Sequence, residues 1–247
     1  MSLRKEIPTS KKVLRKLADL KEGEVFDYYD IIPEGATEIQ LANILSRLVS
    51  QGKLSRLAKG KFFKPRKTEF GLVRPPEEEI IKSLTVKNGK VLGYETGLTL
   101  YNRMGLTTQV SNTIVIATNT VRKPKTLRSY KIKYSKQNVT ITKKNIPILQ
   151  LLDALQDIKT IPDTTVDRSF VLLRKKIIAL NKQKQKTLIN IVLKYNAATR
   201  ALVGALFEKH IRTVKVDLLK QSLNPLSNYS IGISVTLLPN KNNWNII

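Results

Sequence analysis

The sequence predicts an α+β protein, and three observations support this class. The first third of the chain contains a capped amphipathic helix followed directly by a hairpin signal. In the middle third, "SNTIVIATNT" and "SYKIKY" alternate apolar and polar residues as strands do. From Ile146 onward, apolar residues recur at helical spacing through several segments. Strands and helices therefore share the chain, and helices dominate its C-terminal part.

The N-terminal region, residues 1–67, is predicted to contain three helices and a hairpin. The first helix is expected around "KKVLRKLADL", and "VFDYYDII" is expected to give a strand pair and a brief helix. The third helix lies in "TEIQLANILSRLVSQG". Thr37 and Gln40 have the spacing of a capping box, and Gly52 is the expected C-terminal stop.

The outer face of this third helix carries residues suited to nucleic acid. Its leucines form an inward stripe, which leaves Gln40, Asn43 and Arg47 on the opposite face. Amide and guanidinium side chains can bind adenine, guanine and phosphate in a major groove, although any amphipathic helix has a polar outer face. Ile39 also lies toward the polar face, where it is expected to pack on the preceding helix or contact a thymine methyl group.

A basic hairpin is predicted immediately after the helix. Strands at Leu54–Ala58 and Lys61–Lys64 flank Lys59-Gly60, because glycine accepts the positive φ of a two-residue turn. This order of elements is that of a winged helix-turn-helix, in which the helix reads bases and the wing contacts phosphates. Lysines on a hairpin can instead serve only to prevent edge pairing. The predicted DNA-facing residues are Thr37, Gln40, Asn43 and Arg47 on the helix, Arg56, Lys59 and Lys61 on the wing, and Lys64, Arg66 and Lys67 beside it.

The second domain is predicted to comprise residues 68–247, a basic mixed α/β domain that ends in a helical segment. The pattern changes after the Pro-Pro pair of "RPPEEEI". A short helix is expected at "YETGLTLYNRMGL", a strand at "NVTIT", helices from "IPILQLLDALQDI" to "VDLLKQSL", and a last strand pair in "SIGISVTLLP".

The charge of the chain implies a polyanionic partner. Lys and Arg number 44 and Asp and Glu 19, which gives a formal net charge of +25. The segment from Thr96 to Leu152 contains ten basic residues and no acid. Its basic residues alternate with Tyr130 and Tyr134, so they predict a second nucleic-acid surface or a solvated strand face with inward tyrosines. The residues of this second basic surface are Arg122, Lys123, Lys125, Arg128, Lys131 and Lys133.

Catalytic, metal and cofactor sites are not expected. The chain has no cysteine and one histidine, and neither a Walker loop nor Gly-x-Gly-x2-Gly occurs. His210 has no nucleophile motif nearby, and Asp163 and Asp167 precede a helix, where N-capping is the simpler interpretation than a metal pair. Because no apolar run approaches membrane-spanning length, a cytoplasmic location is expected.

Three stretches resemble the AbiEi-type antitoxins, the regulator halves of type IV (abortive infection) toxin-antitoxin pairs. "LANILSRLVSQGKLSRLAKGKFFKP" is similar to that family's recognition helix, glycine and Arg-Leu-x-x-Gly-aromatic wing. "GYETGLTLYNRMGLT" resembles the short helix that follows the winged domain. "TRALVGALFE" is similar to a segment in the family's longer members.

The resemblance implies an antitoxin that represses its own operon at inverted repeats, with a homodimer on DNA as one arrangement. It also implies a nucleotidyltransferase-like toxin as partner, with or without a stable complex. From the residues alone, two further classes stay open. One is an RNA-binding or ribonucleoprotein module without specific DNA recognition, and the other, ranked last, is an enzyme acting on nucleic acid.

Overall fold

The computed structural model describes residues 8–247 as a mixed α+β structure, which confirms the predicted class. The chain divides into two compact units. One runs to Lys90 and includes Thr126–Ser129, and the other comprises Val91–Lys125 and Tyr130–Ile247. They are called the N-terminal unit and the C-terminal unit below.

The N-terminal unit is built around a helix and a small antiparallel sheet with strand order β1-β3-β2. Its apolar core joins Val13 of α1, Leu41 and Leu45 of α3, and Phe62 of β3. Up to the unit boundary the elements are α1 (Thr9–Ala18), β1 (Val25–Asp27), α2 (Tyr28–Ile31), α3 (Glu38–Ser50), β2 (Ser55–Ala58), β3 (Lys61–Phe63), β4 (Arg66–Thr68), β5 (Gly71–Val73), α4 (Glu77–Thr85), β6 (Val86–Lys87) and β7 (Lys90–Val91).

The predicted capping box and hairpin are both present. Thr37 Oγ1 accepts a hydrogen bond from the Gln40 N–H at 3.2 Å, and Gln40 Oε1 accepts one from the Thr37 N–H at 3.1 Å. The β2–β3 turn falls at Lys59-Gly60, where Gly60 has φ of 74°. The start of α3 and the position of the hairpin are therefore fixed by local sequence, as predicted.

Helix α4 belongs to the N-terminal unit, although the predicted domain boundary lies after Lys67. Its Glu79 carboxylate accepts a hydrogen bond from the Val25 N–H on β1 at 3.3 Å. Its Ser83 carbonyl accepts one from Lys61 Nζ on β3 at 2.9 Å. Two strands of the sheet thus bind α4, so this helix is part of the N-terminal unit. The observed division lies beyond α4, after Lys90.

The C-terminal unit combines strands in the order β11-β9-β8 with a group of helices. Strand β9 pairs antiparallel with β8 and parallel with β11. The elements that follow β7 are β8 (Gly93–Thr96), α5 (Leu98–Arg103), β9 (Thr113–Thr118), β10 (Lys125–Leu127), β11 (Tyr130–Lys136), α6 (Ile146–Gln156), α7 (Val166–Ile178), α8 (Lys182–Val192), α9 (Ala197–His210), α10 (Asp217–Gln221) and the 3-10 helix η1 (Lys241–Trp244). Of these, β10 has only Lys125 in the C-terminal unit, and its other two residues belong to the N-terminal unit.

Two strand predictions in this unit are wrong. "NVTIT" alternates buried and exposed residues but pairs with a side chain. The Asn119 amide donates to the carbonyls of Gln137 and Val139 and accepts from the Ile141 N–H. "SIGISVTLLP" forms no strand pair, because its segment makes only the isolated bridge between Tyr229 and Ile246. Its residues Ile231, Ile233 and Leu238 are instead buried in the helical core.

The core of the C-terminal unit lies around α6 and α9. Leu152, Phe170 and Leu206 are fully enclosed, and the indole ring of Trp244 packs directly on Gly204. Within residues 8–247, no helix has the length and apolar character that crossing a membrane requires.

Candidate nucleic-acid interface

The outer face of α3 is an exposed surface of small and polar side chains. Asn43 and Arg47 are exposed, as predicted, while Leu41, Leu45 and Leu48 face the core. Ile39 is 75% exposed, so it does not pack on the preceding helix. Thirteen residues give the helix a length of about 20 Å, enough to lie in a major groove.

One groove lies between α3 and the β2–β3 hairpin, and the predicted helix residues Gln40, Asn43 and Arg47 do not line it. Its volume is about 450 Å³. Ile39, Ala42 and Ser46 of α3 line one side, and Arg56 and Lys59 of the hairpin line the other. Glu38 at the start of α3 also lines the groove. A polyanion lying there would therefore meet a helix side with one carboxylate and a hairpin with two cations.

Thr37 and Gln40 have structural roles at the start of α3. The capping box occupies Thr37 Oγ1 and Gln40 Oε1, which are the acceptors that base or phosphate contacts would use. The Gln40 amide nitrogen and the Thr37 hydroxyl hydrogen stay available as donors. Asn43 and Arg47 are therefore the predicted helix residues whose polar groups are unconstrained by capping.

Arg56 and Lys59 are the two cations of the hairpin that line the groove. Lys59 is exposed at the turn, and the Arg56 guanidinium lies 5.9 Å from the centre of the Phe62 ring. The ring contact restricts the guanidinium without neutralising it. Both cations consequently keep their charge facing solvent.

Lys61 and Lys64 are held inside the N-terminal unit rather than beside the groove. Lys61 Nζ forms an ion pair with Asp27 at 2.9 Å and donates to the Ser83 carbonyl. Lys64 Nζ donates to the Leu20 carbonyl at 2.9 Å. Their ammonium groups join β3 and the chain after it to neighbouring elements, so the two lysines are removed from the candidate interface.

Arg66 lies on a separate hairpin formed by β4 and β5, where it pairs with Val73. Lys67 is on the same strand, and both residues are exposed. The turn carries Phe70, which is 94% exposed. These cations do not line the groove between α3 and the β2–β3 hairpin.

The residues of the predicted second basic surface are divided between the two units. Lys131 and Lys133 are exposed on β11, with Ile132 buried between them. Arg128 belongs to the N-terminal unit, where its guanidinium donates to the Arg56 carbonyl at 2.6 Å and lies over the Phe63 ring. The remaining members, Arg122, Lys123 and Lys125, lie in the C-terminal unit; the Arg122 guanidinium is 5.7 Å from the centre of the Tyr134 ring.

The residues considered for catalysis or metal binding are held by ordinary contacts. Thr165 caps α7, which corrects the prediction that Asp163 and Asp167 do so; Asp167 instead accepts a hydrogen bond from the Ser234 N–H. The Arg174 guanidinium is 3.5 Å from His210 Nε2, and burial together with that cation lowers the pKa of the imidazole. Across residues 8–247, no three acidic or histidine side chains are gathered as a metal ion would require.

Sequence reasoning missed two groups of residues. Ala42 and Ser46 line the groove beside Ile39, and their exposure on the helical wheel could have shown this. A buried network around Asp153 in the C-terminal unit was also missed. An acid within the apolar segment "IPILQLLDALQDI" was the available signal.

Comparison with known proteins gives a family for the chain. No curated protein and no solved structure matches it. Residues 12–189, which are most of the chain, match the model of DUF6088, described as a family of unknown function. The chain therefore belongs to the DUF6088 family.

Proposed function

We propose that the protein is a sequence-specific DNA-binding transcription regulator whose N-terminal unit is a winged helix-turn-helix. The observation that carries this proposal is the shared groove, in which Ile39, Ala42 and Ser46 of α3 and the cations Arg56 and Lys59 of the hairpin line the same space. In this arrangement α3 is the recognition helix and the β2–β3 hairpin is the wing. The net charge of +25 supports a polyanionic partner.

The proposed division of work follows from side-chain chemistry. Asn43 and Arg47 can hydrogen-bond base edges, and the exposed Ile39 suits a thymine methyl group. Arg56 and Lys59 can neutralise phosphates, which positions the helix but carries no sequence information. Binding to a palindromic operator would require two copies of the chain.

Replacing Lys59 with glutamine is expected to weaken DNA binding and to reduce the slope of log K against log salt by about 0.9, the value of one lost phosphate contact. The measurement is fluorescence anisotropy across a salt series, with the duplex upstream of the protein's own gene. Arg56→Gln should act similarly. Lys90→Gln is the matched control, because Lys90 is an exposed cation of the same unit outside the groove.

Lys61→Gln provides a second comparison for the wing. Because Lys61 is paired with Asp27, this change should lower stability and leave the salt slope unchanged. A slope that falls for Lys61→Gln and not for Lys59→Gln would contradict the proposed placement of the wing.

Replacing Asn43 with alanine is expected to reduce specific binding by about 1 to 3 kcal/mol and to leave binding to a scrambled duplex unchanged. Arg47→Ala should lower specific binding by a similar amount and also weaken nonspecific binding, since it removes a charge. The measurement is competition between the upstream duplex and the scrambled duplex. Gln51→Ala, at the C-cap of α3, is the control for effects on the helix itself. Equal losses on both duplexes for Asn43→Ala would remove α3 from base recognition.

The proposed biological role is that of a cytoplasmic antitoxin in a type IV toxin-antitoxin pair. This part rests on the resemblance of the α3–wing segment and "TRALVGALFE" to the AbiEi-type antitoxins. The partner would be a nucleotidyltransferase-like toxin, opposed with or without a stable complex. Co-expression with the product of the neighbouring gene tests it: relief of growth inhibition supports the role, and unrelieved inhibition contradicts it.

An RNA-binding function is the second candidate, and the exposed lysines of the C-terminal unit favour it. Lys131 and Lys133 on β11 and Lys123 and Lys125 before it are all exposed. Equal, strongly salt-dependent binding to native and scrambled duplexes, together with tighter binding to structured RNA, would favour this candidate over the first.

A further inference from the structure

The C-terminal unit contains a cavity of about 490 Å³ that is separate from the candidate DNA interface. It lies among β8, β9, the end of β11, α6 and the segment between α8 and α9. This volume is in the range of small-molecule sites. The residues that carry the argument are Thr96, Lys136, Asp153, Asp157, Lys194 and Tyr195, all of which line the cavity.

One wall of the cavity is a fixed network around Asp153. Its Oδ2 accepts hydrogen bonds from the hydroxyls of Tyr94 at 2.7 Å and Thr96 at 2.8 Å, and its Oδ1 accepts one from Tyr195 at 2.7 Å. The Gln137 amide bridges the two tyrosine oxygens. These hydroxyls donate their protons to the carboxylate, so the wall presents acceptors to the cavity.

Asp157 extends the same acceptor surface one helical turn along α6. Its Oδ2 accepts a hydrogen bond from Tyr101 at 2.7 Å, which leaves Oδ1 open. In the part of the chain that the structure describes, no lysine or arginine forms an ion pair with Asp153 or Asp157. The hydrogen-bond partners of the two carboxylates are therefore the hydroxyls of Tyr94, Thr96, Tyr195 and Tyr101.

Two lysines add positive charge to the lining of the cavity. Lys136 and Lys194 line it and are exposed, as expected for ammonium groups at a cavity mouth. A ligand that satisfies both sets of residues needs adjacent hydrogen-bond donors for the carboxylates and an anionic group for the lysines. The amides of Asn138, Gln156 and Asn196 also line the cavity and can bind hydroxyl groups of the same ligand.

We propose that this cavity binds a guanine nucleotide, with the base edge on the aspartates and the phosphate on Lys136 and Lys194. A carboxylate only accepts hydrogen bonds. Guanine is the nucleobase whose pairing edge presents two adjacent donors, N1–H and the 2-amino group. Adenine and cytosine place an acceptor beside their amino group, and uracil and thymine place acceptors on both sides of one N–H. The carboxylates therefore match guanine and repel the other bases.

Isothermal titration calorimetry of the full chain with GMP, IMP and AMP tests the proposal. GMP is expected to bind about ten-fold or more tightly than AMP, and IMP, which lacks the 2-amino group, should fall between them. Asp157→Asn should remove most of this preference, because an amide offers a donor where the carboxylate accepted. Equal affinities for GMP and AMP, or a preference unchanged in Asp157→Asn, would overturn the proposal.

A lysine pair separates the phosphate contact from general attraction to a basic protein. Lys194→Gln should weaken GMP and AMP alike by about three-fold or more and preserve their ratio. Lys186→Gln removes the same charge from an exposed position of α8 outside the cavity and should change neither affinity. Identical losses for the two variants would contradict the placement of the phosphate.

The nucleotide could be free or part of a strand, and a second titration distinguishes these sources. A single-stranded oligothymidine with one central guanine is compared with one that carries adenine at that position. Guanine preference in the strand without GMP binding would identify nucleic acid as the source, and the reverse would identify the free nucleotide. The absence of guanine preference in both formats would reject the site. None of these outcomes depends on the proposed DNA interface.

Discussion

Replacing Gly204 with alanine is expected to destabilise the protein by about 3 kcal/mol, the upper end of the range for overpacked cores. Gly204 lies inside α9, where the face it presents is covered by the indole ring of Trp244. A methyl group at this position would overlap the ring, at a separation below the 3.0 Å that real Cβ contacts essentially never reach. Elsewhere in a helix the same substitution stabilises by up to about 1 kcal/mol, so even the sign of the effect tests the packing.

The indole ring cannot easily make room for that methyl group. Trp244 is 1% exposed, and its Nε1–H donates to the Glu208 carboxylate at 2.9 Å. The Asn240 amide donates to the same carboxylate. Burial raises the pKa of Glu208, but these hydrogen bonds outweigh it, so the pKa is lowered and the acceptor stays ionised. Moving the ring would therefore break a charge-assisted hydrogen bond as well as apolar contacts.

Urea unfolding followed by circular dichroism measures this prediction. The matched background is Trp244→Leu, which should be less stable than the parent because it removes a buried indole ring, but which leaves space over the helix. In that background Gly204→Ala should be neutral or stabilising, because only its helix propensity remains. A parent-background Gly204→Ala variant that is as stable as the parent would show that the helix and the indole ring are not in this contact.

Local signals account for the parts of the fold that could be predicted from the sequence. The start of α3 follows from hydrogen bonds between Thr37 and Gln40, three positions apart, and the β2–β3 turn follows from the conformational freedom of Gly60. Such signals involve residues only a few positions apart, so they can be recognised in the sequence without knowledge of the tertiary structure. The exposed face of α3 was partly predictable for the same reason.

Long-range partners account for what could not be predicted. Lys61 looks like every other lysine of the basic hairpin, yet Asp27 and Ser83, far away in sequence, hold its ammonium group. The "NVTIT" segment has strand alternation, but the Asn119 side chain occupies its backbone groups in place of a strand. Residue type and periodicity predict local secondary structure. The hydrogen-bond and ion-pair partners of a side chain depend on the tertiary fold, which the local sequence does not show.

Replacing Asp153 with alanine is expected to cost about 3 kcal/mol of stability, because three buried hydroxyls lose one ionised acceptor. The loss is moderated since the carboxylate lines a cavity and water can enter the space that it leaves. Asp153→Asn should cost about 1 kcal/mol or less. Its amide oxygen can still accept from Tyr94 and Thr96, and its amide N–H can donate to the Tyr195 oxygen. Gln156→Ala, exposed on the same helix, should be close to neutral.

The pH dependence of the free energy of unfolding distinguishes the effect of losing the Asp153 charge from the effect of losing its hydrogen bonds. Burial raises the pKa of Asp153, while its hydroxyl partners only partly oppose this effect. The folded chain therefore holds the proton more tightly than the unfolded chain. The stability that this proton provides is complete below the unfolded pKa of about 3.9 and is lost as the pH rises through the folded pKa. The measurement is urea unfolding of both variants and the parent between pH 4 and pH 7, roughly the window set by that unfolded value. The free energy of unfolding of Asp153→Asn should rise relative to that of the parent as the pH rises. A constant difference between them would mean that the Asp153 pKa is the same in the folded and unfolded chains, and that the network stabilises the fold through hydrogen-bond geometry alone.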